Sequence, residues 1–229
     1  MSIKSILCIF GGAEGELSAL GVSMSLAETY VARLRILHIS PNPSSYVGLY
    51  GENFIGGGSI IEAIEKENNE RLEKAKQAVI SAIARHNIVL DTQTPAYNGK
   101  IYARARFIHS IGNADSIIAT QGRLCDVIVI GRGMNAENAL YDSAIISALF
   151  DSGRPVLLMP AGKNTMPEKW QAKTVSLAWN SGLEAARAIH NSLPFLERAE
   201  KVQLLTARGN GEACDLEAED GAIEYLHCH

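Results

Sequence analysis

Long apolar runs are missing from this chain of 229 residues. None approaches the roughly 18 residues that a bilayer-crossing helix needs, so no membrane span is expected. A basic excess is missing as well. The formal net charge is −4, which leaves no electropositive footprint for nucleic acid. The opening MSIKSILCIF lacks the basic region, long apolar stretch and small-residue cleavage site of a secretory leader, so none is expected. Cysteine is sparse and scattered, at Cys8, Cys125, Cys214 and Cys228. Cys8 and Cys125 fall inside apparent buried strands, where a thiol acts as a small hydrophobe. A reducing, cytoplasmic setting is the simplest expectation. Cys228 is flanked by His227 and His229, a set of ligand types that chance supplies at a chain end. There is no nucleophile elbow, zinc-ligand spacing or Walker loop, so the chemistry those motifs support is not expected.

What is present is an ordinary core-forming composition, with 47% hydrophobic and 20% charged residues. SIKSILCIF reads as a strand, ELSALGVSMSLAETYVARL as an amphipathic helix and RLRILHIS as a second strand, the size of one β-α-β crossover. A loop follows over 41–58, with Pro41, Pro43, Gly48, Gly51 and Gly56 to Gly58 among Tyr46, Tyr50 and Phe54. Loops this long in compact domains are functional or mobile segments, and the aromatics also suit packing on a neighbouring domain or subunit. Ser59 with Glu62 predicts a capping box for the charged helix IIEAIEKENNERLEKAKQAVISAIARHN. Its carboxylates Glu62, Glu65, Glu67 and Glu70 read as a solvated face. IVLDTQTPAYNGK predicts a third strand and turn, after which His109, Ser110 and Asn113 fall at the sheet edge. His109 is an acid-base candidate by residue type, although a lone histidine is more often structural. Asn113 predicts a cap for ADSIIATQGR.

CDVIVIG is a short apolar run rich in β-branched residues, as expected of a parallel strand covered on both faces. Gly131 and Gly133 follow, then a helix carrying Ser143, Ile146, Ala148, Leu149 and Phe150, then the strand RPVLLMP. Residues 3–160 thus predict a doubly wound α/β domain with a parallel five-stranded sheet. Ligands of such sheets sit beyond the carboxyl ends of the strands, which places Gly11-Gly12 and Gly131-Arg132-Gly133 on the crevice walls. Arg132 suits a phosphate or carboxylate in fork geometry, or a solvent-facing ion pair. After a linker, TVSLAWNSGLEAARAIHNSLPFLERAEKVQLLTARG repeats strand, small-residue turn, helix and strand. Phe10 to Ile36 and Trp179 to Val202 correspond, which indicates an internal repeat.

Cys125 to Pro160 and AWNSGLEAARAIHNSLPFL resemble the universal stress protein family, in its tandem form. The resemblance implies a Rossmann-like sheet of order 3-2-1-4-5 followed by a partial second copy. It implies a domain over 1–162, a linker over 163–172 and an incomplete second domain over 173–229. A full repeat would add a third strand, a helix, a fourth strand, a helix and a fifth. The chain is then a fragment, a shortened form whose open edge domain one covers, or a form that pairs across a dimer. The family's nucleotide signature is Gly, two residues, Gly, nine residues, then Gly-Ser or Gly-Thr. Its amides and helix start receive phosphates. A strand-one residue, usually Asp, contacts adenosine.

Carried over, the resemblance makes Gly11, Gly12, Ile39, Gly131, Arg132, Gly133, Asp142 and Ser143 the candidate binding residues. Gly11 and, in the second copy, Asn180 stand at the usual Asp, and Met134 stands at the second glycine. Asp142-Ser143 stands at Gly-Ser. An Asp about 4 Å from a phosphate charge costs about 4 kcal/mol at a surface-like dielectric, about a thousandfold in affinity. A bridging Mg²⁺ reverses that sign, or Asp142 caps its helix. The expected function is a stress-response binding and signalling protein with a degraded nucleotide motif, not a catalyst. One alternative is a slowly hydrolysing ATP and Mg²⁺ binder, with an adenine nucleotide as cofactor. The other is a protein-interaction scaffold working through the 41–58 loop. A homodimer through Val156 to Met159 and a small anionic ligand or nucleotide are the expected partners. FGGAEGELSAL is similar to the glycine loop of ATP pyrophosphatases, without its serine before the glycines or the acidic-serine pair after them.

Overall fold

A computed structural model describes residues 2–45, 57–91, 102–132, 139–160, 169–206 and 216–229. Ile3–Trp170 forms one compact unit, and Gln171–His229 belongs to a second. Most of the expected 41–58 loop, residues 46–56, lies outside the described residues.

The first unit opens with strand β1 (Ser5–Ile9), helix α1 (Leu17–Tyr30) and strand β2 (Arg33–Ser40). β1 and β2 pair in parallel, from Ser5↔Arg33 to Ile9↔Leu37. Helix α2 (Gly57–Ile83) follows. Ser59 lies within it, so the expected cap at that position is corrected: the helix begins earlier. Strand β3 (Val89–Leu90) and strand β4 (Arg104–Ile111) come next. Helix α3 (Ala114–Gly122) is capped as its spacing predicts, with Asn113 Oδ1 accepting from the Ser116 N–H at 2.9 Å. Strand β5 (Val127–Gly131), helix α4 (Ala139–Phe150) and strand β6 (Val156–Met159) complete the unit.

The sheet is wholly parallel, in the order β3-β4-β2-β1-β5-β6. Removing β3 leaves the expected 3-2-1-4-5 order, so five strands are corrected to six. The third strand of that order is ARARFIHSI, and the apolar run near Val89 shrinks to a short edge strand. Arg104, Arg106 and His109 interrupt the apolar pattern of β4, as befits a strand buried on only part of its surface. Consequently His109 and Ser110 lie within β4 and not beyond it.

Alternation along the strands splits the core into two layers. Leu7, Ile9, Leu37, Ile128 and Ile130 pack with Ile118 of α3 and with Ala144 and Ala148 of α4. Ile6, Cys8 and Ile36 face the other side, where α1 packs on β1, β2 and β5 and α2 packs on β2. The amino rim is tied off by its own polar groups. Asp126 Oδ2 accepts from the Lys4 and Ser5 amides at 2.7 and 2.9 Å. The buried Arg35 guanidinium donates to Gln121 Oε1 and to the Gln121 and Leu124 carbonyls at 2.8–2.9 Å.

The second unit holds strand β7 (Thr174–Trp179), helix α5 (Leu183–Leu196), strand β8 (Lys201–Thr206) and helix α6 (Leu216–His227). β7 and β8 pair in parallel from Thr174↔Lys201 to Trp179↔Thr206. Among the described residues they form a sheet of two strands. Its core is Leu177, Ile189, Leu193 and Leu196.

Candidate functional site at the carboxyl edge of the sheet

The strand order reverses between β1 and β5, so the crevice walls are the turn after β1 and the end of β5. The turn runs Phe10-Gly11-Gly12-Ala13 into a single 3₁₀ turn, Glu14–Glu16, that leads directly into α1. Gly12 has φ +91°, and a Cβ there would lie 3.0 Å from the Arg71 carbonyl oxygen and 3.1 Å from Ala75 Cβ, both on α2. Two independent constraints, backbone sign and a close helix, therefore require glycine.

Glu16 is fully buried at this turn. Its Oε2 accepts from the Gly11 N–H at 2.7 Å and from the Ala13 N–H at 3.3 Å. The Gly12 N–H also favours its charge. Oε1 has no hydrogen-bond partner among the described residues. Burial pushes the Glu16 carboxyl up to about 7, against the pull of these amides and of Arg71. Sequence reasoning missed Glu16. The amides of a tight turn must find acceptors, but both Glu14 and Glu16 follow this one in the sequence, and spacing does not say which turns back.

Across the crevice, Gly131 is the last residue of β5. A Cβ at Gly131 would come within 3.0 Å of Glu16 Cα and 3.2 Å of Ala19 Cβ. Its glycine character thus lets the Glu16 turn pack on the strand end. The Arg132 N–H donates to the Met159 carbonyl at 2.9 Å, continuing the β5–β6 ladder, and its side chain is exposed. Gly133 lies outside the described residues. Asp142 sits inside the first turns of α4, which begins at Ala139. The expectation that it caps that helix is corrected accordingly. Ser143 is half-buried in the same helix. The donors described at the two tips, the Gly11, Ala13 and Arg132 amides, are all engaged within the protein. They do not fit a nucleotide phosphate as they stand.

A second polar group lies on β2 and β4. His38 is buried, and its Nδ1 lies 3.1 Å from the Phe10 carbonyl. A carbonyl can only accept, so Nδ1 carries the proton. Ser40 Oγ and His109 Nε2 share a hydrogen bond of 2.9 Å, and the two histidine rings are 5.6 Å apart. Burial foremost lowers the pKa of both imidazoles, and the positive charge of Lys76 adds to it. Both are therefore neutral at pH 7. His109 has partners the sequence did not disclose. Ile39 alternates to the opposite face and packs with the core beside Ile108 and Ile117. Among the described residues, no three His, Cys, Asp or Glu side chains are grouped to hold a metal ion.

In the second unit, Asn180 follows β7. Its Oδ1 accepts from the Gly182 N–H at 3.0 Å, and Ser181 has φ +59°. A separate groove of about 650 Å³ lies among Leu193, Leu196, Val202, Leu204, Ile223 and Leu226. Glu197, His227 and His229 also line it, and it has no part in the β7 turn.

No family model matches this chain, and no curated protein does. Solved structures do. A universal stress protein from Archaeoglobus fulgidus is 15% identical and matches over 98% of this chain and 73% of its own, with a TM-score of 0.62. A universal stress protein solved in complex with cAMP is 16% identical over 71% of this chain and 100% of its own, with a TM-score of 0.38. The UspA protein of Lactobacillus plantarum is 12% identical over 69% of this chain and 99% of its own, at 0.44. The first of these spans almost the whole chain at a TM-score that signifies a shared architecture, so this chain has the universal stress protein fold.

Proposed function

We propose that this chain is a tandem universal stress protein acting as a stress-response binding and signalling protein, and that tight ATP binding is not its activity. The observation that carries this reading is the engagement of the β1-tip amides by Glu16. A phosphate site needs free, converging N–H donors, and here a resident carboxylate holds them. The β7-α5-β8 order repeats β1-α1-β2 with the same parallel pairing, which supports two copies, over 1–162 and 173–229 with a linker between. Trp170, in that linker, donates its N–H to Ser25 Oγ of α1 at 2.8 Å.

The protein works as a homodimer through β6, the sheet's edge strand, on which Leu158 is 44% exposed. Edge strands left open in this way invite pairing. Cys8 and Cys125 are free, buried thiols, which supports a reducing, cytoplasmic setting. Among the described residues, no helix is long and apolar enough to cross a membrane.

The test is calorimetric titration with ATP, with and without Mg²⁺. No binding heat in either condition is expected. Micromolar binding only with Mg²⁺ would overturn the reading, and would make Asp142 a metal-bridging ligand beside Gly131, Gly133 and Ser143.

A further inference from the structure

Four arginines meet on two neighbouring strands of the first unit. In the β2–β4 ladder Arg33 stands opposite Arg104, and Arg35 opposite Arg106. Residues two apart along a strand share a face, and so do residues paired across a ladder. All four therefore leave the sheet on one face, the face from which Leu37 and Ile108 pack with α3. Their backbone positions form a grid at the amino end of the strands, roughly 5 Å across and roughly 7 Å along. Guanidinium groups stay charged at neutral pH. Like charges placed directly opposite work against a sheet, so the fold does not gain from this pattern by itself.

Arg35 donates to oxygens of Gln121 and Leu124, which carry no charge to offset its own. Burial foremost lowers its pKa, and the like charge of Arg33 adds to it. Arg33 Nε is buried without a hydrogen-bond partner among the described residues. Arg104 lies over the Tyr102 ring, 4.2 Å from its centroid. On β3, Val89 and Leu90 pair with Arg104 and Ala105, so Asp91 falls beside Arg106. At these two levels of the three strands, one carboxylate faces four guanidiniums, in a chain whose net charge is −4. Arg33, Arg104 and Arg106 are half-buried, so solvent reaches them.

The four groups form a strip and do not converge on one point, since Arg35 turns to the end of α3 and Arg104 lies on Tyr102. A strip suits a linear polyanion better than a single small ion. An extended peptide sets alternate side chains roughly 7 Å apart, the interval between the two arginine levels. Carboxylates match the guanidinium fork. Nucleic acid would call for a longer basic footprint than two levels of one sheet face. We propose that Arg33, Arg104 and Arg106, with the charge of Arg35 beneath them, form a docking surface for an extended acidic segment of a partner protein. Carboxylates at alternate positions of that segment meet the two arginine levels. The surface lies at the amino end of the sheet, away from the Gly12 and Gly131 crevice, and does not rest on what that crevice binds.

The experiment follows the fluorescence anisotropy of fluorescein-labelled hexaglutamate as full-length protein is added at low salt. Wild type is expected to bind it saturably, and more weakly as salt is raised. Arg33→Gln and Arg106→Gln should each weaken binding by at least about threefold, the upper range for a single ion pair at a surface. Arg187→Gln removes the same charge from an exposed position in the second unit and should leave binding unchanged. Equal losses in all three variants would mean attraction to the chain as a whole and would overturn the proposal. Wild type that does not saturate overturns it as well, and that result needs no variant. Tighter binding of labelled hexathymidylate, weakened by the same two substitutions, overturns it in favour of nucleic acid. Should Arg33→Gln not fold, Arg106→Gln carries the comparison with Arg187→Gln. ATP binding that survives Arg106→Gln would sink the functional reading above and leave this proposal standing.

Discussion

Counted from Phe10 and Trp179, Gly12 and Ser181 hold the same place in two strand-helix-strand segments, and both have positive φ, +91° and +59°. Both connections pass through a positive φ, but after β1 the path runs through a 3₁₀ turn over Glu14–Glu16, and after β7 only Asn180, Ser181 and Gly182 precede the helix. What fills each turn differs. After β1, α2 closes on Gly12 and a buried carboxylate takes the amides. After β7, Asn180 closes its own turn through one local hydrogen bond, with Asn180 and Ser181 exposed. Strand-to-helix geometry sets the turn, and the surrounding domain decides how strictly it is enforced. Where a second helix packs on the turn, only glycine serves. Where the turn is exposed, serine is accepted at the cost of a strained φ.

The sharpest way to break this comparison is Gly12→Ala. A left-handed φ costs a residue with a Cβ roughly 1–2 kcal/mol, and overpacking against Arg71 and Ala75 adds roughly 1–3 kcal/mol. A loss of roughly 2–5 kcal/mol is expected in urea unfolding. The chain has two tryptophans, one in each unit. A Trp179→Phe background therefore lets Trp170 report the first unit alone. A loss no larger than the strained φ would mean that α2 yields, and that its close approach does not explain the glycine.

Glu16 gives an effect of similar size with a distinctive pH dependence. Its folded pKa is raised from 4.5 to about 7. Between those values the folded state holds a proton that the unfolded state has lost, so this group's contribution falls as pH rises from 4.5 through 7. At about 1.4 kcal/mol per unit the whole effect is roughly 3 kcal/mol. His38 and His109 act in the opposite sense. Their lowered pKa values make stability fall as pH drops below 6.5. Besides the amides, the groups facing Glu16 are Cys8 of β1 and Arg71 of α2. The Cys8 thiol is pushed up to about 12, so it stays neutral throughout. Subtracting wild type from Glu16→Gln cancels the histidines. The variant should be the more stable by up to roughly 3 kcal/mol at pH 8, with the advantage gone near pH 4.5. A difference that does not vary with pH would show that the carboxylate is not held at a cost.

The parts legible in the sequence were those fixed by local pattern. The strands SILCI, RLRILHIS and VIVIG announce themselves by apolar continuity, and Asn113 by its position before a helix. β4 was obscured because its arginines and His109 lie on a strand that is only partly buried, where continuity fails. Site residues were harder for a different reason. Gly11, Gly12 and Gly131 were found as glycines, but their tasks depend on contacts made across the fold, Gly12 with α2 and Gly131 with Glu16. No spacing rule announces that a carboxylate five residues on will turn back to its own strand tip. The Ser40–His109 bond is equally invisible, since it joins strands separated by a long helix and depends on register.

Ser181→Gly tests the comparison where the effect is smallest. Releasing a serine from a left-handed φ returns roughly 1–2 kcal/mol. Glycine also gains freedom in the unfolded chain, which removes roughly 0.4–1 kcal/mol. The net gain lies between about zero and about 1.6 kcal/mol. A Trp170→Phe background lets Trp179, the residue that ends β7, report the second unit in urea. Stabilisation of that unit would mean that the turn conformation is imposed by the strand-to-helix geometry, with serine tolerated against its preference. Destabilisation would mean that the Ser181 side chain contributes something its exposed position does not suggest. The parallel between the two turns would then be one of shape without shared cause.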